Sequence, residues 1–136
     1  MLDELRLLKN LNQPELKTLQ GYEGMGGYRA MRRALAEMEP DEILAELDAS
    51  GLRGRGGAGF AMGKKASFIP KANMDKYLCC NADESEPGTF KDRLLIQKNP
   101  HLLVEGMIIA AKALVDVDRV EAGHVDVVKQ AELREH

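Results

Sequence analysis

Tryptophan is absent from this chain of 136 residues, and only two cysteines and six tyrosine or phenylalanine residues are present. The cysteines are neighbours, Cys79 and Cys80, so the sequence has no disulfide framework and no metal-ligand spacing. The longest apolar run, Met107 to Ala111, ends at Lys112, far short of the roughly 20 residues that a membrane span requires. The first ten residues carry acids and no signal-peptide pattern, so we expect a cytoplasmic location and no membrane insertion.

Charge and glycine are concentrated in the middle of the chain. Hydrophobic residues make up 44% and charged residues 30%, which is typical of one globular domain. The net charge is -3, but residues 50–100 carry nine basic and five acidic side chains. Six of the 13 glycines lie between Gly51 and Gly63, and this combination favours an anionic ligand. Nucleic acid is not expected, because there is no basic amphipathic helix and no aromatic RNA-binding motif.

The first half of the chain has the periodicity of helices. A short helix is expected around residues 2–8, and helical spacing of apolar residues predicts another over 28–38, ended by Pro40. Asp41 is expected to cap the next helix, and Gly51 suits the left-handed position beyond its end. The apolar face of the 28–38 helix is predicted to consist of Tyr28, Met31, Leu35 and Met38.

The second half mixes strand and helix signals. Residues 77–80 read as a buried strand that opens into a polar loop. Thr89 with Asp92 offers a capping arrangement for a helix that runs to about Lys98. Another helix is predicted from Asn99-Pro100 to Leu114, because asparagine caps well and proline fits the first helical position. Valines within residues 116–136 allow a second strand, so the predicted fold class is α/β.

A glycine-rich loop is the strongest local signal. Gly54, Gly56 and Gly59 satisfy G-x-G-x-x-G, but a helix precedes them where the dinucleotide fingerprint requires a strand. Residues without bulky side chains still let backbone N–H groups approach a planar ring or a phosphate, and Lys64 and Lys65 add positive charge. The alternative is a flexible surface loop.

The polar loop after the predicted strand has a period of two. Asn81, Asp83 and Ser85 are expected on one side, with Glu84 and Glu86 on the other. The first three could bind a heterocycle, ribose hydroxyls or a divalent cation, and the alternative is a solvated acidic loop.

Two further residue pairs are candidates for either a site or the core. Phe60 and Phe68 could stack on an adenine or nicotinamide ring, or each could belong to the core. Cys79 and Cys80 are interpreted as core residues.

Taken together, the segments 51–60 (GLRGRGGAGF) and 77–93 (YLCCNADESEPGTFKDR) resemble one family. It is the NADH-binding flavoprotein subunit of respiratory NADH:quinone oxidoreductase (complex I), also called the F subunit or the 51 kDa subunit. The likeness extends over roughly residues 20–118 and implies an α/β fold with a Rossmann-like FMN/NADH-binding domain, incomplete at its C-terminus. It implies a helical lead-in over 1–50, part of the binding domain over 51–118 and a divergent tail over 119–136.

The resemblance also implies a binding role for individual residues. FMN would be cradled by Gly54, Gly56 and Lys65, and it would be hydrogen-bonded by Asn81, Asp83 and Ser85. The nicotinamide nucleotide would lie close to Gly57 and Ala58, with Phe60 and Phe68 beside its adenine and Glu84 and Glu86 on its polar groups. Arg55 and Gly59 complete the expected cofactor-binding set. No catalytic acid or base and no metal ligand is expected, because hydride transfer requires only that two rings be held face to face.

In this family the hydride passes from NADH to FMN, and electrons continue through iron–sulfur clusters to quinone. The resemblance implies NADH and the other hydrophilic-arm subunits as partners, especially the [2Fe–2S] subunit (the E subunit) and the large iron–sulfur subunit (the G subunit). It places the chain at the inner face of the cell membrane through the complex.

The family's 4Fe–4S cluster has no candidate cysteine ligands in this sequence. We therefore expect a truncated N-terminal portion with little or no NADH oxidation of its own. The alternatives are a diaphorase subunit of a soluble NAD-linked hydrogenase or formate dehydrogenase, and an inactive nucleotide-binding module.

Overall fold

A computed structural model describes residues 8–55, 58–70 and 76–114. Within these residues the regular secondary structure is helical, and the only β feature is an isolated bridge between Arg53 and Ala61. A 3₁₀ helix, Pro14–Lys17, precedes the α-helices of the described residues. The α-helices are α1 Leu19–Gly24, α2 Arg29–Glu37, α3 Pro40–Ala49, α4 Met62–Ser67, α5 Lys91–Lys98 and α6 Pro100–Leu114.

The chain divides into two compact units. Of the described residues, 8–29 and 78–107 belong to the first unit. Residues 30–55, 58–70, 76–77 and 108–114 belong to the second.

A buried carboxylate organises the first unit. Glu105 on α6 accepts hydrogen bonds from the hydroxyl of Tyr22 at 2.5 Å and from the backbone N–H of Tyr28 at 3.0 Å. The Tyr28 hydroxyl pairs with Nδ1 of His101 at 2.9 Å, and the two tyrosine rings meet edge to face at 5.1 Å. These contacts fix α1 and the turn that follows it against the start of α6.

The turn between α1 and α2 has an unusual backbone. Tyr28 adopts a φ of 60°, a left-handed conformation that side chains other than glycine seldom take. Its hydrogen bond to the buried Glu105 holds it there. At Gly27 a Cβ atom would overlap the ring of Tyr22, so the tight packing of the turn requires glycine at this position.

A small apolar core forms the second unit. Ala34 of α2, Ile43 of α3 and Ala113 of α6 are buried together, and four half-buried side chains surround them. These four are Met38, Leu44, Ile109 and Leu114. The predicted face of α2 is wrong at Leu35, which is 42% exposed. Ala34 faces the core in its place, and its small side chain allows close packing.

The N-terminus of α3 differs from the prediction. Pro40 follows the end of α2 and is also the first residue of α3. The fixed φ of proline suits this first helical position. Glu39 is the N-cap residue in place of Asp41, and its backbone N–H donates to the Glu42 carboxylate at 2.8 Å. The prediction for Gly51 is confirmed, since it has a φ of 65° two residues after α3 ends.

The contact between α3 and α4 requires a glycine. Gly63 is buried, and a Cβ atom built on it would lie 2.5 Å from Cα of Asp48 and 2.6 Å from its backbone nitrogen. Because the obstacle is backbone, it cannot rotate away as a flexible side chain would. Gly63 therefore lets α4 lie directly on the backbone of α3.

The helices in the second half of the chain lie close to the positions predicted for them. Helix α6 begins at Pro100 as predicted, and α5 begins at Lys91 with Phe90 at the N-cap position expected for Thr89. In the second unit Lys76 donates to the carbonyl of Leu114 at 3.1 Å, a cation at the last turn of α6. The helix predicted around residues 2–8 falls outside the described residues except for Leu8.

The α/β fold class is not confirmed within the described residues. Residues 77–80 form neither helix nor strand, because a strand exists only where a neighbouring segment completes its hydrogen bonds. The candidate neighbour in residues 116–136 falls outside the described residues. The interpretation of Cys79 and Cys80 as core residues is wrong, since Cys79 is exposed and Cys80 is only half-buried.

We predict that Gly63→Ala destabilises the chain by about 1–3 kcal/mol, because the added methyl group forces α4 away from α3. Gly106→Ala in α6 is the matched control: a Cβ atom there meets no described atom within 4 Å. This substitution should raise the free energy of unfolding by about 0.5–1 kcal/mol, because alanine has a higher helix propensity than glycine. Urea unfolding midpoints measure both changes, and equal midpoints for the two variants would contradict the prediction.

Burial raises the pKa of the Tyr22 hydroxyl, and the hydrogen bond to Glu105 and its negative charge raise it further. Folded Tyr22 therefore keeps its proton above about pH 10, where the unfolded chain loses it, so stability falls as the pH rises beyond that value. We predict that Tyr22→Phe costs about 1–3 kcal/mol at neutral pH and removes part of this alkaline loss.

Thermal melting at neutral and alkaline pH measures both effects of Tyr22→Phe. Tyr77→Phe is the control for the loss of a tyrosine hydroxyl, because Tyr77 is 86% exposed. An identical alkaline slope in wild type and Tyr22→Phe would show that Tyr22 does not control it.

Candidate functional site

The glycine-rich loop connects α3 to α4 and is closed at its base. The N–H of Gly54 donates to the carbonyl of Phe60 at 2.9 Å, and the N–H of Met62 donates to the carbonyl of Leu52 at 2.8 Å. The antiparallel bridge between residues 53 and 61 lies between these two bonds. The two ends of the loop therefore lie side by side.

Gly59 and Arg53 shape the returning arm of the loop. Gly59 has a φ of 60°, which glycine adopts without strain. The guanidinium of Arg53 donates to the carbonyl of Gly59 at 3.1 Å. Arg53 has a structural role that the glycine pattern alone did not predict, although an arginine that opens a run of glycines is a natural donor to the exposed carbonyls of the run.

In contrast to Gly59, which has a left-handed φ, and Gly63, which is closely packed, Gly54 lies where the described residues do not require a glycine. A Cβ atom at Gly54 would come no closer than 3.8 Å to a described atom, and its φ lies outside the left-handed region. The described residues therefore accommodate a Cβ atom at Gly54 in ordinary van der Waals contact. The positive charges of this part of the chain are also exposed: Arg55 in the loop and Lys64 and Lys65 in α4.

Phe60 and Phe68 form an exposed aromatic pair. Their ring centroids lie 6.1 Å apart with the planes tilted by 58°, and the residues are 43% and 63% exposed. The structure thus contradicts the core interpretation and agrees with the alternative of rings available for stacking. Phe60 ends the glycine-rich loop, and Phe68 directly follows α4.

The polar run, residues 81–86, is held by its own side chains. The N–H of Asp83 donates to Oδ1 of Asn81 at 2.9 Å, and the hydroxyl of Ser85 donates to the Asp83 carboxylate at 2.6 Å. The structure therefore brings Asn81, Asp83 and Ser85 together as the period of two predicts. All three residues are exposed.

Glu84 faces a different partner. Its two carboxylate oxygens accept the backbone N–H groups of Asp92 at 2.7 Å and Arg93 at 3.1 Å, at the start of α5. Helix starts carry unpaired N–H groups, and a carboxylate stabilises them by hydrogen bonding and by its charge. Glu84 thus caps α5 in place of the predicted Thr89 arrangement. Glu86 is exposed.

The two candidate segments belong to different units. The described part of the glycine-rich loop comprises residues 51–55 and 58–61, all in the second unit. The polar run belongs to the first unit. Gly56 and Gly57 lie outside the described residues.

The structure also bears on metal binding and on membrane insertion. The described part of the chain holds no group of three or more histidine, cysteine, aspartate or glutamate residues able to bind a metal ion. No helix in residues 8–55, 58–70 or 76–114 is long and apolar enough to cross a membrane.

Comparison with known families gives one match that includes both segments. Residues 47–126 match the model of the Nuo51 FMN-binding domain, the complex I 51 kDa family. The match covers more than half of the chain.

Individual relatives are similar over most of this chain. An NADH-quinone oxidoreductase F subunit of Rhizobium meliloti is 56% identical over 109 residues, which are 79% of this chain and 26% of the relative. The F subunit of Aquifex aeolicus is 51% identical over 108 residues, 79% of this chain and 25% of the relative. The F subunit of Escherichia coli is 55% identical over 98 residues, 71% of this chain and 22% of the relative. The chain thus spans about a quarter of the length of these relatives.

We predict that Glu84→Ala frays the first turn of α5, because the N–H groups of Asp92 and Arg93 lose their acceptor. A lost cap of this kind costs about 0.5–2 kcal/mol. Amide hydrogen exchange at Asp92 and Arg93 should accelerate in the variant. Glu86→Ala is the matched control, since the described residues give the Glu86 side chain no hydrogen bond, and equal exchange in both variants would contradict the capping role.

Proposed function

Because this chain belongs to the Nuo51 FMN-binding domain family, we propose that it is part of the electron-input subunit of an NADH:quinone oxidoreductase. The observation that carries the proposal is the family match over residues 47–126, which contains both the glycine-rich loop and the polar run. The identity of 51–56% to F subunits from three bacteria favours this function over a hydrogenase or formate dehydrogenase subunit.

We propose the domain division that the sequence predicts. Residues 1–50 form a helical lead-in, residues 51–118 contribute to a Rossmann-like α/β domain that binds FMN and NADH, and residues 119–136 form a divergent tail. The helical character of α1 to α3 and the family match over 47–126 support the first two assignments.

Several features of the glycine-rich loop suit a bound flavin nucleotide. Gly54 has no Cβ, and no described atom comes closer than 3.8 Å to the position that a Cβ would take. The two hydrogen bonds at the base of the loop support a fixed backbone surface. The exposed Arg55 and Lys65 supply positive charge for a phosphate. We propose Gly54, Gly56 and Lys65 as FMN contacts, with Arg55 and Gly59 shaping the same loop.

The aromatic pair suits the nicotinamide nucleotide. Phe60 and Phe68 expose their rings within 6.1 Å of each other, and an exposed ring gains by stacking on a planar base. We propose that they flank the adenine of NADH. We also propose that the protein backbone at Gly57 and Ala58 lies close to the nucleotide.

The polar run supplies hydrogen-bonding groups. Asn81, Asp83 and Ser85 are exposed and bonded to one another, which limits the conformations that must be ordered when a ligand binds. We propose that these three residues contact FMN. Glu84 and Glu86 are proposed to bind polar groups of NADH, and the negative charge of Glu86 disfavours the additional phosphate of NADPH.

When bound, FMN supplies the hydride-accepting chemistry, and the proposed residues hold the two nucleotides and exclude water. No side chain of this chain is proposed as an acid or base. The other proposed partners are hydrophilic-arm subunits, especially the [2Fe–2S] E subunit and the large iron–sulfur G subunit. Through them the chain would lie at the inner face of the cell membrane, and the 4Fe–4S cluster would be held outside this sequence.

We predict that the isolated chain quenches flavin fluorescence saturably when FMN is titrated against it. Gly54→Val should abolish this quenching, because bulk at Gly54 blocks ligand approach while the nearest described atom lies 3.8 Å from the added Cβ. Asp83→Ala should weaken it roughly tenfold, as expected for the loss of a hydrogen bond to a charged group.

Gly106→Ala is the matched control and should bind FMN as wild type does, since Gly106 is not among the proposed contacts. Circular dichroism must show that each variant is folded. Absence of quenching by a folded wild-type chain, or full quenching by Gly54→Val, would refute the proposed flavin contact. Rapid NADH-dependent dye reduction by this chain alone would contradict the expected lack of turnover.

A further inference from the structure

The side chain of Arg53 connects the two arms of the glycine-rich loop. Its Nη1–H donates to the carbonyl of Gly59 at 3.1 Å, on the arm that returns to α4. The two hydrogen bonds at the base of the loop join backbone to backbone. Among the described residues, Arg53 therefore makes the one hydrogen bond between the arms that depends on a side chain.

Packing does not hold Gly59 in place. A Cβ atom built on this glycine would meet no described atom within 4 Å, and its φ of 60° is one of many conformations that glycine adopts readily. The hydrogen bond from Arg53 restricts this freedom. Ordering the backbone of one residue only when a ligand binds weakens the affinity by roughly five- to thirtyfold.

A held carbonyl fixes the whole peptide group to which it belongs. The carbonyl of Gly59 and the N–H of Phe60 share one peptide group, and the described residues contain no cis peptide bond. In a trans peptide the two groups point in opposite directions, so the Phe60 N–H is turned away from the Arg53 guanidinium. No hydrogen bond joins this N–H to another described residue, so no partner among them competes with a ligand for it.

The same peptide group adjoins the proposed nucleotide contacts. Phe60 carries one ring of the aromatic pair, and its carbonyl accepts from the N–H of Gly54 at 2.9 Å. Order at Gly59 therefore extends to both Phe60 and Gly54. Arg53 itself is exposed and lies outside the apolar core of the second unit, so its hydrogen bond orders the loop and not the core.

We propose that Arg53 is a positioning residue of the proposed flavin site, whose hydrogen bond to Gly59 orders the returning arm of the loop before FMN binds. This inference rests on the proposed function, because it assigns Arg53 a part in flavin binding. Arg53 acts through the backbone and not on the phosphate. Its contribution is therefore the same for FMN and for riboflavin, which is the flavin without the phosphate.

The test is a fluorescence titration of the full chain with FMN and with riboflavin. Arg53→Met keeps a long side chain without a donor, and it should weaken the binding of both flavins by the same factor, roughly tenfold. Arg53→Lys retains a cationic donor and should recover most of the affinity. A direct contact between Arg53 and the phosphate would instead affect FMN alone.

Two further variants calibrate the titration. Lys65→Met removes a charge proposed for the phosphate, so it should weaken FMN more than riboflavin. Arg33→Met removes another exposed arginine, which is hydrogen-bonded to Glu46 outside the loop, and it should leave both affinities unchanged. Circular dichroism must show that every variant is folded.

Amide hydrogen exchange, followed by NMR, tests the same hydrogen bond without a ligand. Because the Gly54 N–H donates to the carbonyl of Phe60, its exchange should accelerate in Arg53→Met and return toward the wild-type rate in Arg53→Lys. Exchange within α3 should not change. If the folded wild type binds neither flavin, the proposed function fails, and the exchange rate at Gly54 still decides whether Arg53 orders the loop.

Four outcomes would overturn the proposal. Two concern folded Arg53→Met by itself: unchanged affinity for the flavins that wild type binds, and unchanged exchange at Gly54. The third is a loss of FMN affinity without an equal loss for riboflavin. The fourth is binding by Arg53→Lys that is as weak as binding by Arg53→Met. Equal losses for the two flavins, recovery with lysine and faster exchange at Gly54 would support it.

Discussion

The absence of a side chain at Gly63 is the constraint on which the candidate loop depends. Because Gly63 lies directly on the backbone of Asp48, α4 packs against α3 without an intervening side chain. The loop between these helices begins and ends at this contact, and its two base hydrogen bonds then close it. Glycine therefore has different physical roles at neighbouring positions: close packing at Gly63 and a left-handed backbone at Gly59. At Gly54 neither constraint applies among the described residues.

Carboxylates that accept backbone N–H groups organise the first unit in a similar way. Glu105 accepts from Tyr28 at the turn before α2, and Glu84 accepts from Asp92 and Arg93 at the start of α5. In each case a side chain outside the local turn satisfies donors that the backbone leaves unpaired. An acidic residue of the polar run thus also fixes the helix that follows it.

Most helix positions follow from the sequence because local signals determine them. Periodicity, proline and the glycine at position 51 predicted α2, α3 and α6 to within a few residues. Local signals failed where packing decided the outcome. Ala34 took the buried place expected for Leu35, and Glu39 took the capping place expected for Asp41. Strand formation at residues 77–80 depends on a neighbouring segment, which periodicity within one segment cannot specify.

Residue types and their spacing were sufficient to identify the family, the glycine-rich loop, the joined polar run and the concentration of basic residues between 50 and 100. These properties depend on residue type and spacing along the chain. The packed helices were needed to show that Phe60 and Phe68 are exposed as a pair, that Glu84 caps α5 and that Asn99 has a buried acceptor. Exposure and hydrogen-bond partners are set by residues distant in sequence, so they become known only when the packed helices bring those residues together.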